Sequence, residues 1–321
     1  MTQGAYWEDV WEMTGADGLV RRGVLTLPGR GTHPRVALIL IPAGMTYRIA
    51  PGRLHVKIAR RLAARLGLAC LRLDTLGLGE SEGEIESAPT RQLWGTIEAA
   101  RFVDDTLLAL KTMRARKVAD RVVLSGLCGG ATTAMIAATR APEPVDGLLS
   151  MNAVSTRSDQ PGQKPRTLTP GETRHRLKAY LREMSSPTAW QRLLKGESDF
   201  RAIGATLGSF AKWLTRRAPK NEESQANPLF AESFRTLLSR DIRHLMIFSS
   251  NTRHWHAFES MFYTPLLQRK PKTGACEVVV IPETNHEFYL PEWREALFRC
   301  IEDWFLRAFP AELSRLPDSS L

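Results

Sequence analysis

From Val36 onward, runs of apolar residues of strand length alternate with stretches that repeat their apolar positions every three to four residues. This alternation constrains the fold more than any other feature of the chain. The runs are VALILIP (Val36 to Pro42), LACLRLD (Leu68 to Asp74), RVVLSG (Arg121 to Gly126) and VDGLLSMNAV (Val145 to Val154). Between the first two, Leu54, Ile58, Leu62 and Leu66 mark one helical stripe on Arg53 to Leu66, and a second helix is expected from about Gln92 to Met113. Strands apolar on both faces need helices on both sides, so the pattern predicts an α/β fold with a mostly parallel, doubly wound sheet. A strand pair, YWEDVWEM and LVRRGVLTLPG, precedes it.

The alternation stops at Ser155 and resumes near Arg243 with HLMIFSS, CEVVVIP and a closing helix, PEWREALFRCIEDWFLRAF. The intervening stretch holds helical patches (HRLKAYLREM, AWQRLLKG, ATLGSFAKWL) broken by Pro, Gly and Ser. The expected organisation is therefore a core of 1–154 and 241–321 with a helical cap, 155–240, inserted over the sheet. The cap is also where the charge sits. The whole chain carries +10 from 44 basic and 34 acidic residues. Residues 155–240 hold 16 of the basic and 8 of the acidic ones, so this quarter supplies most of the excess. Such a block suits an acidic partner, and also suits an ordinary solvated helical surface.

An apolar fraction of 43% with 24% charged residues excludes a disordered, collagen-like or coiled-coil chain of 321 residues. No apolar run approaches the roughly 18 residues of a membrane span. The N-terminal MTQGAYWEDVWEM has acids where a signal peptide has bases, so a cytoplasmic protein is expected. Four cysteines, Cys70, Cys128, Cys276 and Cys300, lie too far apart for a disulfide framework and read as thiols.

One thiol stands out. Gly126-Leu127-Cys128-Gly129-Gly130 fits G-x-(nucleophile)-x-G between a buried strand and a helix, with cysteine where serine is usual. The turn is strained, the glycines let backbones pass closely, and the helix N-terminus that follows favours thiolate. His286, four residues beyond the last strand in IPETNHEF, is the expected acid–base partner. His33, His55, His175 and His244 have weaker positions. His254 and His256 lie in RHWHAF with no cysteine or carboxylate at ligand spacing, so no metal is expected. The turn after HLMIFSS, where the third member of a triad belongs, reads Asn251-Thr252-Arg253 and holds no carboxylate before Glu259. Glu259, Asn152 or no residue at all could orient the histidine. For the oxyanion, the Gly129 N–H and that of Gly44 or Met45 are the candidate donors, because Pro42 has none. Asp74, ending a strand before TLGLGES, reads as a structural turn residue.

These motifs resemble the α/β-hydrolase superfamily and, within it, the hydrolases associated with the exosortase A system. The matching stretches are PAGMTYRIAPGR, LRLDTLGLGESEGE, GLCGGA, GLLSMNAVSTR, AYLREMSSPTAWQRLLKG and NHEFYLPEWREAL, spread over positions of about 35 to 305. In that family an aspartate stands where this chain has Thr252, which makes Thr252 a further candidate at the orienting position. The chain is also similar to the cysteine-bearing acyltransferases and thioesterases that load and unload carrier proteins in natural-product assembly lines. That resemblance implies an acyl intermediate on Cys128 and a thioester substrate borne on phosphopantetheine, delivered by an acidic acyl or peptidyl carrier protein. No cofactor of the chain's own and no nucleic-acid partner are expected. The expected activity is acyl transfer or thioester cleavage; ester or lactone hydrolysis, and a non-catalytic binding module on the same fold, are the alternatives.

Overall fold

The computed structural model describes residues 5–29, 31–158, 168–184, 225–240, 242–268 and 276–314. Eight strands form one sheet: β1 Tyr6–Thr14, β2 Val20–Pro28, β3 Val36–Ile41, β4 Ala69–Leu73, β5 Arg121–Leu127, β6 Gly147–Met151, β7 His244–Ser249 and β8 Cys276–Ile281. Their order is β1-β2-β4-β3-β5-β6-β7-β8, with β2 antiparallel to both β1 and β4 and every later pairing parallel.

The helices follow the same logic. They are α1 Leu54–Leu66, α2 Thr90–Glu98, α3 Val103–Ala115, α4 Gly129–Arg140, α5 Pro170–Met184, α6 Pro228–Ser239, α7 Arg253–Phe258 and α8 Pro291–Ala308. Successive residues of β3 feed opposite cores. Ala37, Ile39 and Ile41 join the layer formed with α3, α4 and α6, while Val36, Leu38 and Leu40 join the layer under α1 and α8. The Leu54, Ile58, Leu62 and Leu66 stripe is buried against the second layer, as its spacing predicts.

Two departures matter for the site. The single helix expected over 92–113 is two, because Ala100 takes a left-handed backbone (φ 75°) and turns α2 away from α3. No glycine or proline marks this break. Most of the stretch read as cap lies outside the described residues, including Arg216 and Arg217. Of what is described, α6 packs on α4, with Phe230 and Phe234 in the first core layer, and α5 packs on α7.

Candidate active site

The chemistry-bearing residues all follow the C-terminal ends of strands: Gly44 after β3, Asp74 after β4, Cys128 after β5, Asn152 after β6, His254 after β7 and His286 after β8. Parallel strands leave their crevice at this edge.

Cys128 sits between β5 and α4 with φ 57° and ψ −121°, a conformation that costs a non-glycine residue energy and projects it out of the turn. The neighbouring glycines make the turn possible. A Cβ on Gly126 would strike the Gly130 carbonyl, and one on Gly130 would strike the carbonyl oxygens of Ile41 and Pro42. Gly129 backs onto Gly44, whose Cα and N lie 3.4 and 3.6 Å from where a Gly129 Cβ would stand. Gly44 itself (φ 65°) faces the Trp94 ring, which would block any side chain there. At the start of α4 the Ala131 and Thr132 N–H groups donate to the Cys128 carbonyl at 3.1 and 3.4 Å, and the Gly129 N–H is directed at the Cys128 thiol.

Cys128 Sγ and one ring nitrogen each of His254 and His286 lie within 4.8 Å of one another. The two imidazoles are tilted by 46° with centroids 5.0 Å apart. Both face a cavity of about 680 Å³ whose wall also includes Trp94, Ile97 and Glu98 of α2, Arg253 and Glu287. The break at Ala100 is thus what lays α2 over the cysteine.

The helix N-terminus does not make Cys128 a resting thiolate. Burial dominates and pushes the thiol up to about 11, against smaller lowering effects from the Gly129 N–H and Arg253. Burial likewise lowers His286 below the ordinary imidazole value, with Glu287 opposing and Arg253 assisting. The pair therefore rests as thiol and neutral imidazole.

None of the three expected orienting residues touches the His286 ring. Glu259 lies 3.7 Å from Nδ1 of His256 instead. The Thr252 hydroxyl accepts from the Trp255 N–H at 3.3 Å and so caps α7. Asn152 acts on main chain: its amide donates to the His286 carbonyl (2.9 Å) and to Ser249 Oγ (3.0 Å), and its carbonyl accepts from the Ser249 N–H (2.8 Å). Nδ1 of His286 is buried without a partner. Of the oxyanion candidates, Gly129 lines the cavity; Gly44 is packed against Gly129, and neither Gly44 nor Met45 is part of the cavity wall. Asp74 is structural, as expected; it is fully buried, accepts from the Arg48 N–H at 2.7 Å and the Glu80 N–H at 3.0 Å, and pairs with the Arg48 guanidinium.

A hydroxyl–imidazole pair also exists elsewhere. Ser150 Oγ and His244 Nε2 are 2.9 Å apart on adjacent strands β6 and β7, both buried. His244 is pushed down to about 3 by burial, and the pair joins two strands outside the cavity wall.

The model of the alpha/beta hydrolase family matches residues 24–299. The chain belongs to that family. Among solved structures it is similar to the α/β-hydrolase GrgF from Penicillium sp. sh18, at 16% identity and a TM-score of 0.51, covering 95% of this chain and 99% of that one. It is similar to TT1662 from Thermus thermophilus at 15% identity and TM-score 0.52, covering 93% and 98%. Est1E from Butyrivibrio proteoclasticus, solved with ferulic acid, aligns at 13% identity and TM-score 0.51 over 93% and 99%. At such identities these likenesses establish the fold, and the eight-strand, mostly parallel sheet is that of the α/β-hydrolases. A search of curated proteins gave no match. In this α/β-hydrolase the sulfur and two nitrogens are also donors that zinc accepts. No fourth protein donor joins that group among the described residues, short of a closed structural zinc site. Sequence reasoning passed over His254, Arg253, Glu287 and the α2 wall. The signal for His254 was its place in the turn after β7, two residues beyond Thr252. No helix among the described residues is long and apolar enough to cross a membrane.

Proposed function

We propose that this α/β-hydrolase is a cysteine-dependent acyltransferase or thioesterase that carries its acyl group on Cys128. The observation that supports this most is the convergence of a strained cysteine and a neutral, buried imidazole on one cavity. A thiol held at about 11 needs a base at the moment of attack, and His286 is placed to take its proton. The Gly129 and Gly44 N–H groups are the donors we assign to the oxyanion. Exchange between one thioester and another is nearly isoenergetic, so an acyl group on sulfur stays available to an acceptor. A space of 680 Å³ lies within the usual range for small-molecule sites and suits a modest acyl group.

The donor we propose is an acyl thioester on an acidic carrier protein. Supporting this, Arg174, Arg176 and Lys178 are exposed on α5, which packs on the helix that bears His254. Membership of the family supports a second reading, in which water is the acceptor and the substrate an ester or lactone.

Intact-mass spectrometry after incubation with an acyl-N-acetylcysteamine thioester tests the proposal. An acyl adduct on Cys128, absent from Cys128→Ala and removed faster by added thiol than by water, is the expected result. Removal by water alone favours the second reading. Turnover that survives in Cys128→Ala would overturn both.

A further inference from the structure

We propose that His254 is a second acid–base catalytic group, dedicated to the leaving and arriving groups while His286 serves the cysteine sulfur. The inference rests on the reading of Cys128 as the acyl carrier. Three observations support it. His254 and His286 each bring a ring nitrogen within 4.8 Å of Sγ and of each other. Both line the cavity in which a substrate would lie. Nδ1 of His286 is buried with no partner, so no carboxylate orients that ring for shuttling between the sulfur and a leaving atom. A second imidazole at the same cavity makes that shuttling unnecessary.

The charged groups on the cavity wall around the pair are Arg253 of α7, Glu287 of the histidine loop, Glu98 of α2 and Arg157. The cycle balances as follows. The thiol proton passes to His286 as Sγ bonds to the substrate carbonyl carbon. The bond from that carbon to the leaving oxygen or sulfur breaks, and protonated His254 gives that atom its proton. Neutral His254 then takes a proton from the incoming thiol, alcohol or water as it attacks the acyl–sulfur carbon. The carbon–sulfur bond breaks, and His286 returns its proton to Sγ. Both imidazoles end in the state in which they began.

A general acid matters when the leaving group is poor and not when it is good. Acylation of Cys128 by p-nitrophenyl acetate and by ethyl acetate, followed by intact mass in the native chain, His254→Phe and His254→Gln, therefore tests the role. Phenylalanine keeps an aromatic wall against His286, glutamine keeps polarity, and either variant suffices if the other does not fold. The expected result is ethyl-ester acylation slowed by about 10²–10⁴-fold and aryl-ester acylation within about threefold of native. Equal slowing of the two esters, no slowing of either, or a native chain that reacts with the aryl ester alone would overturn the inference while leaving Cys128 as carrier. Absence of any adduct on Cys128 in the native chain would instead overturn the reading beneath it.

Discussion

The protein contains two places where an imidazole stands beside a nucleophilic side chain, and they differ in everything except that proximity. Ser150 and His244 make the better hydrogen bond, 2.9 Å, between β6 and the first residue of β7, both side chains buried. Cys128, His254 and His286 are looser, within 4.8 Å, at the edge where the strands end. Neither residue of the inner pair has a positive φ, and neither lines the cavity. The outer group has a positive φ, glycines packed backbone to backbone and about 680 Å³ of space before it. A short hydrogen bond measures how well two groups satisfy each other. Reactivity requires that they be left partly unsatisfied and within reach of a third molecule.

The sharpest way to break this contrast is to delete each nucleophile. Cys128→Ala should lower acyl turnover by at least about 10³-fold while leaving the melting temperature near native. Ser150→Ala should leave turnover unchanged and cost about 1–3 kcal/mol of stability, because the buried His244 nitrogen loses its partner. The reverse outcome, measured by kinetics and denaturant unfolding, would exchange the roles of the two places.

Next in size is the turn itself. Gly130→Ala drives a methyl group into the Ile41 and Pro42 carbonyls and must shift the elbow relative to Gly44. Turnover should fall by about 10²-fold, with a stability cost of about 1–3 kcal/mol. Full activity would show that the elbow is not under the constraint described.

The inner histidines also differ from the outer ones in how they respond to acid. His244 and His55 are both held at about 3 by burial, and neither nitrogen of His55 has a partner. A folded pKa below the unfolded 6.5 means that the unfolded chain binds more protons in between. Stability is therefore complete above pH 6.5 and is lost as pH falls toward 3, at about 1.4 kcal/mol per pH unit for each residue. Urea unfolding of His55→Leu across that window should show a shallower slope and higher stability at every pH. An unchanged slope would place the acid sensitivity elsewhere.

The smallest effect belongs to the outer charges. Arg253 lowers His286 and Glu287 raises it. The acid limb of the pH–rate profile, already below the ordinary imidazole value, should move up in Arg253→Gln and down in Glu287→Gln. Shifts in the same direction would mean that the limb belongs to another group.

Much of this was legible in the sequence because it follows from local periodicity. The runs at β3, β4 and β5, the glycines around Cys128 and the place of His286 after β8 each depend on residues close together in the chain. What escaped depends on packing. Nothing in Glu98 to Phe102 announces the left-handed Ala100 that lays α2 over the site. The thiolate expected from the helix N-terminus fails because burial, a property of the whole fold, outweighs a local dipole. His254 was set aside for want of a cysteine nearby, and the sheet supplies one from 126 positions earlier in the chain. Thr252, Glu259 and Asn152 satisfied a pattern of chain order, but their side chains bond to a helix end, another histidine and a carbonyl.

Asn152, with its own backbone in a left-handed conformation (φ 46°), grips the His286 carbonyl and both polar groups of Ser249. The base is thus tethered by its main chain to two strands, while its ring has no bond at Nδ1. Such an attachment fixes the shoulder and leaves the wrist free. The imidazole can turn to follow the sulfur as it bonds and releases the acyl group, without the loop opening.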